Sequence, residues 1–267
     1  MKYNIMNYKL NKELLNTKKL HNTMFKTNAF VFANGPSLSK IDLEKIKNLQ
    51  KNEDYKVFCV NSFIRSFDQV IIPDYYILSD PVYFGEDIDL LKPGRYEELQ
   101  EDLEKIEKYK ITLFIPVQFK AFVDKKKIDT KIYYFNDYEF FWSNNVVDIL
   151  KPRSYLSMTA YKAIAIASYL GFNKIYICGF DNNWFKTIEV DENNSLFYYN
   201  NHASLQACSG KHFVKPNEAR NIGNLLYQHS FLFNNLYNFP KNIINLDKES
   251  LTDAFVKKHN LDVYKIK

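Results

Sequence analysis

The chain has 267 residues, is 46% hydrophobic and 25% charged, and contains only 7 Gly and 8 Pro, which excludes collagen-like, low-complexity and disulfide-scaffold classes. Its net charge is +5, and the whole excess lies in residues 1–27, where six Lys stand against one acid, Glu13; the rest of the chain is neutral. A neutral body lacks the clustered basic face that tracks a phosphate backbone, so nucleic acid is not an expected partner.

Lys2, Lys9, Lys12, Lys18, Lys19 and Lys26 make residues 1–27 a basic arm, either a solvated leader or a patch suited to anionic lipid. No window approaches ~18 uninterrupted apolar residues, and no apolar segment follows the first lysines. Neither a membrane span nor a secretory leader is expected. From residue 28 the pattern alternates strand and helix. Asn28–Ala33 predicts a buried strand stopped by the turn Asn34-Gly35-Pro36. Residues 37–49 predict a helix capped by Ser37 or Ser39, with Ile41, Leu43, Ile46 and Leu49 on its apolar side. Tyr55–Val60 and Tyr75–Ser79 predict strands that end at Asn61-Ser62 and Asp80-Pro81. Arg95–Tyr109 reads as an amphipathic helix and Ile111–Phe119 as a fourth strand. In 158–179, a small-residue helix begins at Thr159 or Ser157 and ends at Gly171. The strand Lys174–Cys178 follows and stops at Gly179-Phe180-Asp181. Residues 182–215 show no period and predict an irregular lid. A helix over about 217–237 and a strand over Asn242–Leu246 close the chain. The expected organisation is a basic arm (1–27), a nucleotide-binding domain (28–181 with 216–267) and a lid or acceptor segment (182–215).

Strands alternating with helices predict an α/β fold, Rossmann-like, with a parallel sheet and helices on both faces. Ligands of such sheets bind outside the carboxyl ends of the strands, where the strand order reverses. The candidates there are Asn34, Gly35, Pro36, Ser37, Asn61, Ser62, Asp80, Gly179 and Asp181. Gly35 lets a backbone approach a phosphate at the start of the following helix. Small amides and carboxylates suit ribose hydroxyls and base edges. Neither G-x-G-x-x-G nor G-x-x-x-x-G-K-[ST] is present, which disfavours NAD-type dinucleotides and P-loop chemistry. Asp80 and Asp181 could instead hold Mg²⁺ on a diphosphate, which gives an alternative reading as a phospho- or pyrophosphotransferase; a non-catalytic nucleotide-binding protein is a third. The spread of Cys59, Cys178 and Cys208 fits neither a disulfide framework nor a thiolate zinc site and points to a reduced, cytoplasmic setting. Among five histidines, His202 and His212 fall in the lid, where a general base is useful.

Four collinear blocks resemble the bacterial sialyltransferases of lipo-oligosaccharide synthesis, glycosyltransferase family 42. They are FANGPSLSKID from Phe32, VFCVNSF from Val57, YYILSDPVYF from Tyr75, and AIAIASYLGFNKIYICGFD ending at Asp181. N-G-P-S-L alone also occurs in a wider Rossmann-like group that includes pterin-pyrophosphokinase-like proteins. The resemblance implies a GT-A-variant fold and an inverting transfer of sialic acid from CMP-sialic acid to a galactose-type hydroxyl of a lipo-oligosaccharide or capsule. It implies no metal and no cofactor beyond the CMP-sugar donor. The partners are then the nucleotide sugar and a glycan acceptor, at the cytoplasmic face of the inner membrane. Self-association is left open. By the same resemblance Thr159 replaces a serine that positions the donor, a lid histidine is the base, and two tyrosines hold the leaving phosphate. Counting back from the last helix favours His212 over His202. Asn183 stands where the first phosphate tyrosine is expected, so Tyr198 and Tyr199 are the nearest substitutes. Ala33 stands for a glycine, and Asp80 for an asparagine that contacts the donor.

Overall fold

The computed structural model describes residues 12–86, 95–138, 148–152, 158–181, 184–199, 211–213, 242–252 and 254–265. Seven parallel strands form one sheet: β1 (Asn28–Phe32), β2 (Tyr55–Val60), β3 (Tyr75–Ile77), β4 (Thr112–Pro116), β5 (Ile132–Phe135), β6 (Ile175–Cys178) and β10 (Ile243–Asn245). Their order is β10-β6-β1-β2-β3-β4-β5. The strands are short and almost wholly apolar, and a parallel sheet requires this because helices cover both of its faces. Residues 12–18 form α1; the other helices are α2 (Leu43–Lys51), α3 (Phe63–Phe67), α4 (Arg95–Lys108), α5 (Lys120–Lys126) and α6 (Thr159–Leu170). The predicted α/β fold is therefore the observed one.

The pleat sorts the core into two. Phe30, Phe32, Val57, Cys59, Tyr76 and Leu78 point to one face and pack with Ile46, Phe63, Leu103 and Val123 of α2–α5. Ala29, Val31, Phe58, Ile77 and Phe114 point to the other face and pack against α6. All residues of α6 except Ser168 are buried, since Leu20, Met24, Ile149 and Phe255 cover its outer side. Its small residues allow this double packing. Gly171 closes it in the left-handed conformation, as its sequence predicts. The amides of Asn22 and Met24 bond the carbonyls of Tyr169 and Leu170 at that end.

Several elements depart from the sequence reading. The helix predicted over 37–49 is broken. Pro36–Lys40 is a 3-10 turn, Ile41 is extended, and α2 begins after Asp42, whose Oδ1 accepts from the amides of Glu44 and Lys45 at 3.1 and 3.2 Å. Neither Ser37 nor Ser39 is the cap. The third strand stops at Ile77 and the fourth at Pro116, where 3-10 turns take over. β5 and α5 had no clear sequence signal. Residues 12–27, part of the basic arm, are packed on the domain: Leu14 and Thr17 are buried, and the Thr17 hydroxyl donates to the Tyr134 carbonyl at 2.6 Å along edge strand β5. The segment expected to be irregular carries a 3-10 turn, Trp184–Thr187, and a small antiparallel sheet of β7 (Glu189–Val190), β8 (Leu196–Tyr199) and β9 (Lys211–Phe213). The helix expected over 217–237 lies outside the described residues. Among the described residues no helix is long and apolar enough to cross a membrane.

Asp74 fixes the strands that carry the site. Its carboxylate accepts from the Val57 amide at 2.9 Å, from Gln50 at 2.8 Å and from Lys56 at 3.1 Å, so it ties β2, α2 and the entrance to β3 together. Asp74→Ala leaves these donors without an acceptor and is expected to cost about 2–3 kcal/mol in urea unfolding.

Candidate functional site at the carboxyl edge of the sheet

The strand order reverses between β1 and β6. The chain leaves β1 toward the α2 face and reaches β6 from α6 on the opposite face, so this is where a doubly wound sheet opens a crevice. Here it is drawn tight. The Ala33 amide donates to the Cys178 carbonyl and the Gly35 amide to the Gly179 carbonyl, both at 2.9 Å. A side chain on Gly35 would overlap the Asp181 carboxylate and the Gly179 carbonyl. Gly179 has φ +76°, and a side chain there would meet the Ala33 carbonyl. Asp181 completes the clamp. It accepts from the Ser37 amide at 3.0 and 3.1 Å and from the Ser37 hydroxyl at 2.8 Å. Behind it the hydroxyls of Ser250 and Thr252 donate to the Phe180 carbonyl. Burial pushes the Asp181 carboxyl up, the Ser37 bonds pull it back, and the neighbouring Asp247 carboxylate pushes it up again.

The ends of β1 and β2 each carry an asparagine. Asn34 follows β1 and donates through Nδ2 to the Val60 carbonyl at 3.3 Å; its Oδ1 is buried and receives no hydrogen bond. Asn61 follows β2 with φ +51°, a left-handed conformation that asparagine tolerates. The buried Tyr76 hydroxyl holds it there, donating to the Asn61 carbonyl at 2.5 Å and accepting from the Ile64 amide at 2.9 Å. Asn61 Oδ1 is likewise buried without a donor. A buried acceptor without a donor costs about 1–3 kcal/mol. Two of them on adjacent strand ends are suited to a ligand that brings N–H or O–H groups.

The next strand end adds a polar cluster. Ser79 and Thr159 share a hydrogen bond at 2.8 Å, and Lys162 donates to Ser79 at 3.0 Å and to Asp137 at 2.7 Å. The Lys162 and Asp137 side chains are 6% and 5% exposed. The N-cap of α6, Met158, makes no side-chain cap bond, and its carbonyl accepts from the Tyr161 and Lys162 amides at 3.0 and 3.3 Å.

The predicted residues thus divide. Asn34 and Asn61 stand at the ends of the adjacent strands β1 and β2, and Thr159 bonds Ser79 after β3. Gly35, Ser37, Gly179 and Asp181 form the clamp, and Pro36 opens the 3-10 turn that carries Ser37. Ser62 precedes α3 and makes no side-chain cap bond. Asp80 is exposed and caps the turn Pro81–Phe84 through the Val82 amide, so its carboxylate has a local role; the buried residue of that strand end is Ser79. Asp80 and Asp181 follow β3 and β6, three strand spacings or roughly 14 Å apart, too far to share one cation. Among the described residues no three His, Cys, Asp or Glu form a cluster fit for a metal. Tyr198 on β8 is the register partner of His212 on β9, and Tyr199 pairs with Lys211. His202 and Asn183 lie outside the described residues. Ser79, Asp137 and Lys162 were not anticipated, although a single lysine within the apolar run TAYKAIAIASYL is a signal, since a buried ammonium demands a partner.

Two outcomes follow from these contacts. Lys162→Ala removes the ammonium from a buried ion pair and is expected to cost roughly 3–5 kcal/mol, whereas the double change Lys162→Met with Asp137→Leu recovers most of it in the same denaturation assay. For Asp181 the folded carboxyl keeps its proton to a higher pH than the ordinary value of 3.8, so the folded state binds more protons just above that value. Its contribution to stability is therefore full at lower pH and is lost as pH rises through the raised value. The stability of the wild type relative to Asp181→Asn should fall across that window, as read by urea midpoints at successive pH values.

Known proteins match this geometry in two ways. No curated protein matches the chain. The MAf glycosyltransferase from Magnetospirillum magneticum AMB-1 superposes with a TM-score of 0.52 at 13% identity, over 91% of this chain and 36% of that one. At that identity the likeness is one of fold. This chain spans little more than a third of that enzyme's length. The sequence profile described as 6-hydroxymethylpterin diphosphokinase MptE-like matches residues 2–187, from before α1 through β6 and the 3-10 turn after it. That stretch carries Asn34, Asn61, Ser79, Thr159, Lys162 and Asp181, and the chain belongs to the MptE-like family.

Proposed function

We propose that the chain is a nucleotide-dependent transferase, and within that class an inverting glycosyltransferase that takes its sugar from a CMP-linked donor such as CMP-sialic acid. The observation that carries the reading is the pair of buried, donor-less amide oxygens of Asn34 and Asn61 on adjacent strand ends. A cytosine amine or ribose hydroxyls supply the missing donors. The Thr159 and Ala160 amides at the start of α6 are suited to the phosphate. The fold shared with a glycosyltransferase supports the same class.

In this reaction the acceptor oxygen attacks the anomeric carbon, the bond from that carbon to the phosphate oxygen breaks, and CMP leaves with the electron pair. A base takes the acceptor proton. His212 is the proposed base and His202 the second choice, while Tyr198 or Tyr199 donates to the departing phosphate. The small sheet of β7–β9 is suited to bring them in, because it follows the turn Trp184–Thr187 that rises from the end of β6, and β8 packs on that turn. A positioned base contributes about 10²–10⁴-fold.

The family match favours a second reading, transfer of a diphosphate from a Mg²⁺-bound nucleotide. Thermal shifts with CMP, CDP, UDP, GDP and ATP, each with Mg²⁺ and with EDTA, separate the two. The first reading expects a CMP shift that survives EDTA and falls at least tenfold in apparent affinity in Asn34→Ala and Asn61→Ala. It also expects sialyl transfer to drop 10²–10⁴-fold in His212→Ala or His202→Ala. A shift seen only with a Mg²⁺–purine nucleotide overturns the first reading in favour of the second. No shift with any nucleotide overturns both.

A further inference from the structure

A pocket of about 570 Å³ opens at the same edge of the sheet but over the face opposite α6. Its walls come from Ser37, residues 39–41, Cys178, 246–249 and 264–265. Ile41, Cys178, Leu246 and Tyr264 belong to the core beneath α2–α5, whereas Thr159 and Lys162 head the helix on the other side. Ser37, held by Asp181, forms one wall. The stretches 246–249 and 264–265 lie beyond residue 187, outside the part of the chain that matches the family.

The chemistry of the pocket is graded from inside to outside. Asp247, at the carboxyl end of β10, is 6% exposed. Its Oδ1 accepts from the Glu249 amide at 3.0 Å, but its Oδ2 is buried and receives no hydrogen bond. The adjacent Asp181 carboxyl is acidic too and offers a donor only while it holds a proton. At the rim stand three ammonium groups. Lys40 pairs with Glu249 at 2.7 Å, Lys248 lies 5.9 Å over the Tyr264 ring, and Lys265 is exposed. A molecule with a hydroxyl for the inner carboxylate and an anionic group for the outer lysines satisfies both ends. An acidic side chain at a strand's carboxyl end is a common acceptor for sugar hydroxyls in doubly wound sheets, and the volume suits a molecule of that size.

We propose that this pocket binds a phosphorylated sugar, free or as the ribose phosphate of a nucleotide. A sugar hydroxyl donates to Asp247 Oδ2, and the phosphate lies between Lys248 and Lys265. The assignment does not depend on the transferase reading, because it uses none of the α6-side residues.

The test is calorimetric titration of the full chain with ribose 5-phosphate, glucose 1-phosphate, CMP, ribose and inorganic phosphate. Asp247→Asn keeps an acceptor for the Glu249 amide, and the double variant Lys248→Ala with Lys265→Ala alters only exposed groups, so loss of folding does not confuse the result. The expected outcome is binding of ribose 5-phosphate and glucose 1-phosphate, weakened at least tenfold in both variants and unchanged in Asn61→Ala. Ribose and phosphate separately should bind at least tenfold more weakly. If only CMP binds, with the same dependence on Asp247 and the lysines, the ligand is a nucleotide. Absence of binding by all of these compounds overturns the proposal. So does binding of ribose 5-phosphate or glucose 1-phosphate that survives Asp247→Asn but is lost in Asn61→Ala, which would place the ligand in the α6-side crevice. Binding by inorganic phosphate as tight as by the sugar phosphates also overturns it.

Discussion

Asp181 reaches from the loop after β6 to the amide and hydroxyl of Ser37 in the loop after β1, and across that bridge the two halves of the sheet are joined at their carboxyl ends. The bridge needs close approach, which explains a glycine on each side of it. It also takes a buried carboxylate, which must be hydrogen-bonded or protonated to be tolerated. Because Ser37 is drawn into the clamp, it is not available to start a helix. The chain instead makes a 3-10 turn and delays α2 until Asp42 can cap it. The shape of the edge thus depends on one carboxylate and the two loops it ties.

The clamp divides the edge into two polar regions. On the α6 side the acceptors are amide oxygens, with a buried lysine and aspartate neutralising each other behind them. On the α2 side the buried acceptor is a carboxylate, and the positive charges stand outside it. Amide acceptors carry no charge and suit a base or ribose whose phosphate is held elsewhere. A carboxylate under a basic rim suits a ligand that is itself anionic at one end. Two crevices of different chemistry on one sheet edge are consistent with a protein that handles a nucleotide and a second phosphorylated compound.

Much of the fold was legible because parallel strands announce themselves as short apolar runs that stop at Asn, Gly or Asp. β1, β2 and β6 were read nearly to the residue, and so was the end of α6 at Gly171. The edge of the sheet followed from the same stops, which put Asn34, Asn61 and Asp181 just past the ends of β1, β2 and β6. What could not be read was which polar residue at each stop turns inward. Asp80 looks the more chemical residue, yet it caps a local turn, and the smaller Ser79 points to the cluster. Lys162 reads as an exposed helix lysine unless the helix is known to be covered on both sides. Asp247 lies far along the chain from the clamp, and only the pairing of β10 with β6 brings it close. The β7–β9 sheet was missed because its strands are short and its turn is built from Asp191 and its neighbours, which read as loop.

The central claim is that a cytidine nucleotide occupies the α6-side crevice at the ends of β1 and β2. Amide hydrogen exchange with and without CMP tests it most directly. New protection is expected at Asn34, Asn61, Thr159 and Ala160. Protection confined to residues 246–249, or absent from all of these amides at saturating CMP, would contradict it.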